Sequence, residues 1–276
     1  VLMITGPGQG CQDPLHPPDD YAIIHTGVIC ANLHLYEMET ISMSFESLGL
    51  MPIILKNVHN AGYETPTPIQ QATIPLVMSG KEKTVEEIMV EIRKDSAYYA
   101  ASGGGVTLSG GEPLLQPDFA RELFVLCHEN GIHTCMDTSG SILNDSVKKL
   151  LDETDRVLLD IKYTNDADYR ENAGCDMQTP LDFLSYLNEK KIPTTIRQVI
   201  IPTVNDDEEN ILKLREIVRT HTCVDKVELL PFRTICKTKY ENMKRDFPFG
   251  HLPACSKETV EKLYQILNDG GSHELS

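Results

Sequence analysis

The chain predicts an α/β fold, a partial parallel (β/α) barrel with an irregular N-terminal appendage. Three observations predict it. From Lys81 onward, short apolar runs alternate with amphipathic segments in five successive βα units, the order expected of parallel strands joined by crossover helices. The runs are apolar almost throughout, as parallel strands covered on both faces are. Each run also ends in a loop of distinctive chemistry: Ser109-Gly110-Gly111-Glu112-Pro113, Asp137-Thr138-Ser139-Gly140, Asp160-Ile161-Lys162, Ile201-Pro202-Thr203-Val204-Asn205-Asp206 and Leu229-Leu230-Pro231-Phe232.

Taken in order, residues 1–41 open with glycine and proline (Gly6-Pro7-Gly8-Gln9-Gly10, Pro14, Pro17-Pro18) and carry one β-like run, Tyr21 to Cys30. They receive no domain assignment and are expected to be poorly ordered. In residues 42–80, Ile53, Ile54, Leu55 and Val58 predict a short helix that Gly62 would stop. Thr84 and Glu87 then form a capping box, and Val85, Ile88, Met89 and Ile92 share one helical face. Predicted strands follow at 105–109, 133–137, 157–161, 194–201 and 226–231, and predicted helices at 117–129, 144–151, 180–190, 206–219 and 257–267. Thr179-Pro180 and Ser256 are good helix starts, and Gly131 is a good stop. Residues 269–276 form a tail.

The totals exclude several function classes. A formal net charge of −16 over 276 residues disfavours a nucleic-acid binder, because Lys and Arg neutralising phosphates supply most non-specific affinity. No run approaches the length of a membrane span, and Val1-Leu2-Met3-Ile4-Thr5 lacks the basic start of a signal peptide. The eight cysteines, at 11, 30, 127, 135, 175, 223, 236 and 255, lie no closer than eight residues apart. That spacing excludes a C-x-x-C metal pair and fits reduced, mostly buried thiols in a cytoplasmic protein.

The loops at the C-terminal ends of the strands belong to the face where α/β barrels build their sites. Gly110 and Gly111 would let a ligand approach the backbone, and Glu112 offers a carboxylate to an ammonium group. Asp137, Thr138 and Asp160 supply oxygens for a cation. Lys162 could meet a substrate carboxylate as a point charge, or form a surface salt bridge. Arg197 lies inside an apolar strand, which is costly unless the guanidinium is paired. His133 reads as a satisfied core histidine.

Residues 81–268 resemble the pyruvate formate-lyase activating enzymes, which are radical-SAM glycyl-radical-enzyme activases. The strings that carry the resemblance are Lys81-Glu82-Lys83-Thr84-Val85-Glu86-Glu87, Ala101-Ser102-Gly103-Gly104-Gly105-Val106-Thr107, Ser109-Gly110-Gly111-Glu112, Gly131-Ile132-His133-Thr134-Cys135-Met136-Asp137-Thr138, Leu158-Leu159-Asp160-Ile161-Lys162, Ile196-Arg197 and Val227-Glu228-Leu229-Leu230-Pro231. The resemblance implies a radical-SAM partial barrel. It also implies reductive cleavage of S-adenosylmethionine (SAM) to a 5′-deoxyadenosyl radical, which takes hydrogen from a glycine of a target such as pyruvate formate-lyase. The implied cofactors are SAM and a [4Fe–4S] cluster, and the implied electron donor is a protein such as flavodoxin.

By the same resemblance, Gly110, Gly111 and Glu112 hold the methionine amino group. Asp137, Thr138 and Asp160 form a monovalent-cation site beside the methionine carboxylate, Lys162 pairs with that carboxylate, and Arg197 belongs to the SAM and substrate site. Arg233 stands where some members have histidine. The family holds its cluster on C-x₃-C-x₂-C, upstream of the helix that starts near Thr84, and no such triplet occurs in this sequence.

In that place, residues 42–80 resemble the Q-motif region of DEAD-box RNA helicases, through Phe45, Tyr63, Pro66-Thr67-Pro68-Ile69-Gln70 and Ala72-Thr73-Ile74-Pro75. The resemblance implies that Tyr63 stacks on adenine and that Gln70 reads its edge. The phosphate-binding loop Gly-x₄-Gly-Lys-Ser/Thr does not follow. The sequence therefore reads as a chimera joined at Ser79-Gly80-Lys81: an activase barrel, inactive for want of its cluster ligands and lacking the family's first strand. The alternatives are a cluster-less hybrid that binds SAM or a partner, and a non-functional adenine-binding fragment.

Overall fold

The computed structural model describes residues 2–5, 22–23, 44–48, 83–109, 112–234, 247 and 249–269. The predicted helix around Ile53–Val58 and most of the run Tyr21–Cys30 lie outside these. Two compact units are present: Val1–Pro113 with Phe119–Cys135, and Leu114–Asp118 with Met136–Ser276.

In the first unit, helix α1 (Val85–Ile92) starts at the predicted capping box. The Glu87 amide donates to Thr84 Oγ1 at 3.3 Å, and the Thr84 amide donates to Glu87 Oε2 at 2.9 Å. A 3₁₀ turn (Arg93–Asp95) leads into α2 (Ser96–Ser102), which the sequence did not reveal. It ends at Gly103, whose φ of 66° is left-handed and suits glycine. Strand β3 (Gly105–Leu108) and helix α3 (Pro117–Glu129) follow, and Gly131 stops α3 as predicted: its amide donates to the His128 carbonyl at 2.9 Å. The core joins Val85, Ile88, Met89 and Ile92 of α1 to Tyr99, Val106, Leu123, Cys127 and Ile132.

Two further strands complete this unit, one at Leu2–Thr5 that the sequence did not reveal and one at Ala22–Ile23 inside the predicted β-like run Tyr21–Cys30. β1 (Leu2–Thr5) runs antiparallel to β3, with Leu2 opposite Leu108 and Thr5 opposite Gly105, and β2 (Ala22–Ile23) pairs with the other side of β1. Thus an antiparallel four-residue strand covers an edge of β3 that would otherwise be open to unwanted pairing. A run that short has no readable period.

Buried polar atoms mark the same unit. Asp95 Oδ2, the Tyr99 hydroxyl and Thr107 Oγ1 have no hydrogen-bond partner. Burial, with Glu91 adding to it and Lys94 opposing, pushes the Asp95 carboxyl up to about 6. An acid whose native pKa is raised contributes stability below its unfolded value, and that contribution is lost as pH rises through the native one. Asp95→Asn is therefore expected to be more stable than the parent at pH 7.5, by on the order of 1 kcal/mol, with the gap closing near pH 4. Melting temperatures of both proteins across that range check this; a gap independent of pH would refute it.

β4 (His133–Thr138) begins in the first unit and ends in the second. The second unit continues with α4 (Asp145–Leu151), β5 (Arg156–Asp160), a helical turn closing in π geometry (Asp166–Ala173), α5 (Gln178–Lys190), β6 (Thr194–Ile200), α6 (Glu208–Thr220), β7 (Val224–Pro231) and α7 (Lys257–Asn268). Asn144, Asp207 and Ser256 cap α4, α6 and α7 with their side chains. α5 starts one residue before Thr179 without a side-chain cap, and Pro180 falls in its first turn, where no intrahelical donor is required. β5 and β7 each pair with β6 in parallel.

The succession β3–α3, β4–α4, β5–α5, β6–α6, β7–α7 is that of a radical-SAM partial barrel, as predicted. One expectation is corrected. In β5, β6 and β7 the two faces are not equally covered. Val157, Leu159, Ile196, Ile200 and Val227 are buried, while Arg156, Asp160, Arg197, Val199, Glu228 and Leu230 on the alternate positions are partly or fully exposed. Leucines and long charged side chains hide this alternation in the sequence. Among the described residues, no helix is long and apolar enough to cross a membrane.

Candidate functional site

Parallel pairing places Asp160 of β5 directly opposite Arg197 of β6, so their side chains leave the sheet on the same face. Arg197 donates through Nε (3.0 Å) and Nη2 (2.8 Å) to Asp160 Oδ1. The same Nη2 donates to Oδ1 of Asp137, near the end of β4. One guanidinium thus bridges carboxylates from two other strands. The side chains of Asp137, Arg197 and Asp160 are 10%, 17% and 31% exposed. Burial works against the charge on Arg197, but Asp160 and Asp137 outweigh it and hold the guanidinium protonated. The pairing expected for an arginine in an apolar strand is what the structure shows.

Lys162 lies beside this group, with Nζ 3.8 Å from Asp160 Oδ2 and its side chain about half exposed. Its backbone is clamped on both sides. The amide donates to the Tyr169 hydroxyl at 2.9 Å, and the carbonyl accepts from Asn205 Nδ2 at 3.4 Å. Burial pushes the Tyr169 phenol up to about 12, so it accepts as a neutral hydroxyl. Asn205 also takes the Ile201 amide at 2.7 Å and gives to the Val199 carbonyl at 2.9 Å. Behind it, Asn210 of α6 accepts from Thr164 Oγ1 (2.8 Å) and donates to Gln198 Oε1 and the Asn205 carbonyl (2.9 Å each). The loop 201–206 was visible in the sequence, but the amide relay from Asn210 through Asn205 to Lys162 had no sequence signal, since its partners are up to 46 residues apart.

A cavity of about 270 Å³ opens at this corner, lined by Ser139, Ser141, Asp160, Lys162, Tyr169 and Cys175, among others. It is large enough for an amino-acid-sized group. The Asp160 carboxylate and the Lys162 ammonium group in its lining complement a zwitterion. Thr138 is buried, and its Oγ1 receives the Gly140 amide at 3.1 Å, so the hydroxyl supports the turn after β4.

Glu112 belongs to the first unit and is partly buried. Gly110, Gly111, Tyr63 and Gln70 lie outside the described residues. His133 is corrected: it opens β4 and is exposed, not a core histidine. Arg233 is exposed as well.

The cysteines among the described residues do not form a donor set for a [4Fe–4S] cluster. Among the described residues no group of three His, Cys, Asp or Glu could hold a metal ion. Cys127, Cys135 and Cys223 are buried. Burial pushes the Cys127 thiol up to about 12 and raises Cys223 and Cys255, whereas iron ligation needs thiolates.

Residues 70–215 match the Radical SAM superfamily. The match begins at residue 70, before the junction expected at Ser79-Gly80-Lys81. The pyruvate formate-lyase-activating enzyme of Clostridium pasteurianum is 41% identical over 190 residues, covering 69% of this chain and 79% of that protein. The pyruvate formate-lyase 1-activating enzyme of Escherichia coli K12 is 38% identical over 194 residues, covering 70% and 79%. A solved domain of pyruvate-formate lyase-activating enzyme from Bacteroides vulgatus superposes with a TM-score of 0.50 at 26% identity, over 60% of this chain and 93% of that one. With the βα succession and the charged corner at its strand ends, these likenesses show that the chain belongs to the radical SAM superfamily, as a radical-SAM oxidoreductase of the pyruvate formate-lyase-activating enzyme family.

Proposed function

We propose that this chain retains the methionine-binding corner of an activase but does not form the family's cluster, so that it binds SAM weakly and generates no radical. The convergence of Asp137, Asp160, Arg197 and Lys162 at one corner, with Asp160 and Lys162 lining a cavity, carries this reading. Lys162 would take the methionine carboxylate as a point charge, with its backbone held still by Tyr169 and Asn205. Glu112, Gly110 and Gly111 remain the candidates for the amino group. When bound, SAM supplies the adenosyl group used for hydrogen abstraction in this family. The protein partner would be a glycyl radical enzyme such as pyruvate formate-lyase, bound without activation, and a flavodoxin-type donor would find no cluster to reduce.

Absence of the C-x₃-C-x₂-C spacing supports the cluster-less part. Two measurements test the proposal. Anaerobic incubation with ferrous iron and sulfide, followed by gel filtration, is expected to leave far less than one cluster per chain. A stable brown protein with about four irons would overturn that part. Calorimetry is expected to show SAM binding weaker than micromolar, lost in Lys162→Ala, and no comparable heat with ATP. Binding indifferent to Lys162→Ala would overturn the assignment of this corner.

A further inference from the structure

We propose a second reactive site on the second unit: Ser185 is a nucleophile that takes an acyl group from small activated esters, with His221 as its base and Asn188 as donor to the oxygen anion that forms. It goes beyond the reading of the Lys162 corner and does not depend on it. The site gathers the C-terminal half of α5, the end of α6 and the connection into β7, at the N-terminal ends of the strands; Lys162 follows the C-terminal end of β5.

Ser185 Oγ lies 3.2 Å from Nε2 of His221. Across the ring, Nδ1 lies 2.7 Å from the Ile217 carbonyl oxygen and 3.1 Å from Thr220 Oγ1. A carbonyl only accepts, so in the neutral imidazole Nδ1 carries the proton and Nε2 turns its lone pair to the Ser185 hydroxyl. A hydroxyl on a base that a third group orients is the arrangement that activates serine. Ser185 is exposed and His221 partly so, which leaves the pair open to a reagent. Asn188 stands one turn further along α5, on the same helix face as Ser185. Its Oδ1 accepts from Thr222 Oγ1 at 3.2 Å and from the Cys223 amide at 3.1 Å. Those two donors fix which end of the amide is oxygen, and among the described residues Nδ2 meets no acceptor.

The step balances as an ester exchange. Ser185 Oγ bonds to the ester carbonyl carbon while its proton passes to His221 Nε2. Asn188 Nδ2 donates to the oxygen anion of the tetrahedral intermediate. The bond from carbon to the leaving oxygen then breaks, and His221 returns the proton to the departing alcohol or phenol, leaving acyl-Ser185. Ser185 stands in solvent, so the ester must carry a good leaving group.

The test treats the full chain with p-nitrophenyl acetate at neutral pH and follows acetylation residue by residue by peptide mass spectrometry. Ser185 is expected to be acetylated while Ser141 and Ser256, also exposed, stay unlabelled. In His221→Gln the rate at Ser185 is expected to fall by about 100-fold. Asn188→Asp keeps the acceptor for Thr222 and Cys223 but removes the donor, and is expected to slow the reaction by about tenfold or more. Labelling of Ser185 no faster than of Ser141 overturns the proposal, and so does a folded His221→Gln that reacts like the parent. An unchanged rate in Asn188→Asp overturns the role given to that amide. The comparison of serines within the parent needs no variant, so it decides the matter even where a variant fails to fold. No arm contains SAM or iron, so this proposal can fail while the SAM-binding reading stands, and the reverse.

Discussion

Gly105→Ala is expected to cost more than about 3 kcal/mol and to lower the melting temperature by roughly 6–12 °C, with a loss of soluble yield. Gly105 opens β3 against β4. An added Cβ would lie 2.0 Å from the His133 carbonyl oxygen, 2.6 Å from its carbonyl carbon and 2.8 Å from its Cβ. The nearest obstacles are backbone atoms, so no change of rotamer relieves the overlap and one strand must move. The shift would spread to β1, whose Thr5 pairs with Gly105, and to the core around Val106. Gly103→Ala is the control. Nothing lies within 4 Å of its added Cβ, and only its positive φ penalises the change, by about 1 kcal/mol. Denaturant unfolding of both variants checks the difference; equal losses would mean that strand approach at Gly105 is not the cause.

Asn210→Ala is expected to destabilise the second unit by about 3–4 kcal/mol and to loosen the loop that carries Lys162. Asn210 is 7% exposed and satisfies Thr164, Gln198 and the Asn205 carbonyl together. Truncation strands three buried polar partners at a cost of about 1 kcal/mol or more each, in surroundings where partly satisfied networks are costly. Because Asn205 loses one of its anchors, hydrogen exchange should accelerate at the Lys162 and Ile201 amides before global unfolding. Asn210→Asp preserves the acceptor for Thr164 but not the two donated bonds, so an intermediate loss is expected. Exchange at Lys162 that tracks only global stability would separate Asn210 from the positioning of that loop.

Much of this architecture was legible beforehand because its signals are local. The capping box at Thr84–Glu87, the Ser256 cap and the Gly131 stop each depend on a side chain meeting a backbone group within a few residues. Helix α3 was predicted at its observed bounds because its period is regular and its ends are punctuated. The loops at the strand ends stood out by composition, and two of them supply Asp137, Asp160 and Lys162 of the corner that Arg197 of β6 completes. Other features needed tertiary information. β1 is too short to show a period, α2 runs Ser-Ala-Tyr-Tyr-Ala-Ala-Ser without an amphipathic stripe, and the less covered face of β5, β6 and β7 is masked by leucines beside charges.

Alone, the order of residues determined the βα succession and the lack of closely spaced cysteines, since both are matters of periodicity or spacing along one chain, and it carried the strings that resemble the radical-SAM activases. Which oppositely charged groups meet is another kind of fact. The strand register sets Arg197 against Asp160 and brings Asp137 within reach. Only the folded chain could decide it, because which side chains pair depends on distances between strands far apart in sequence.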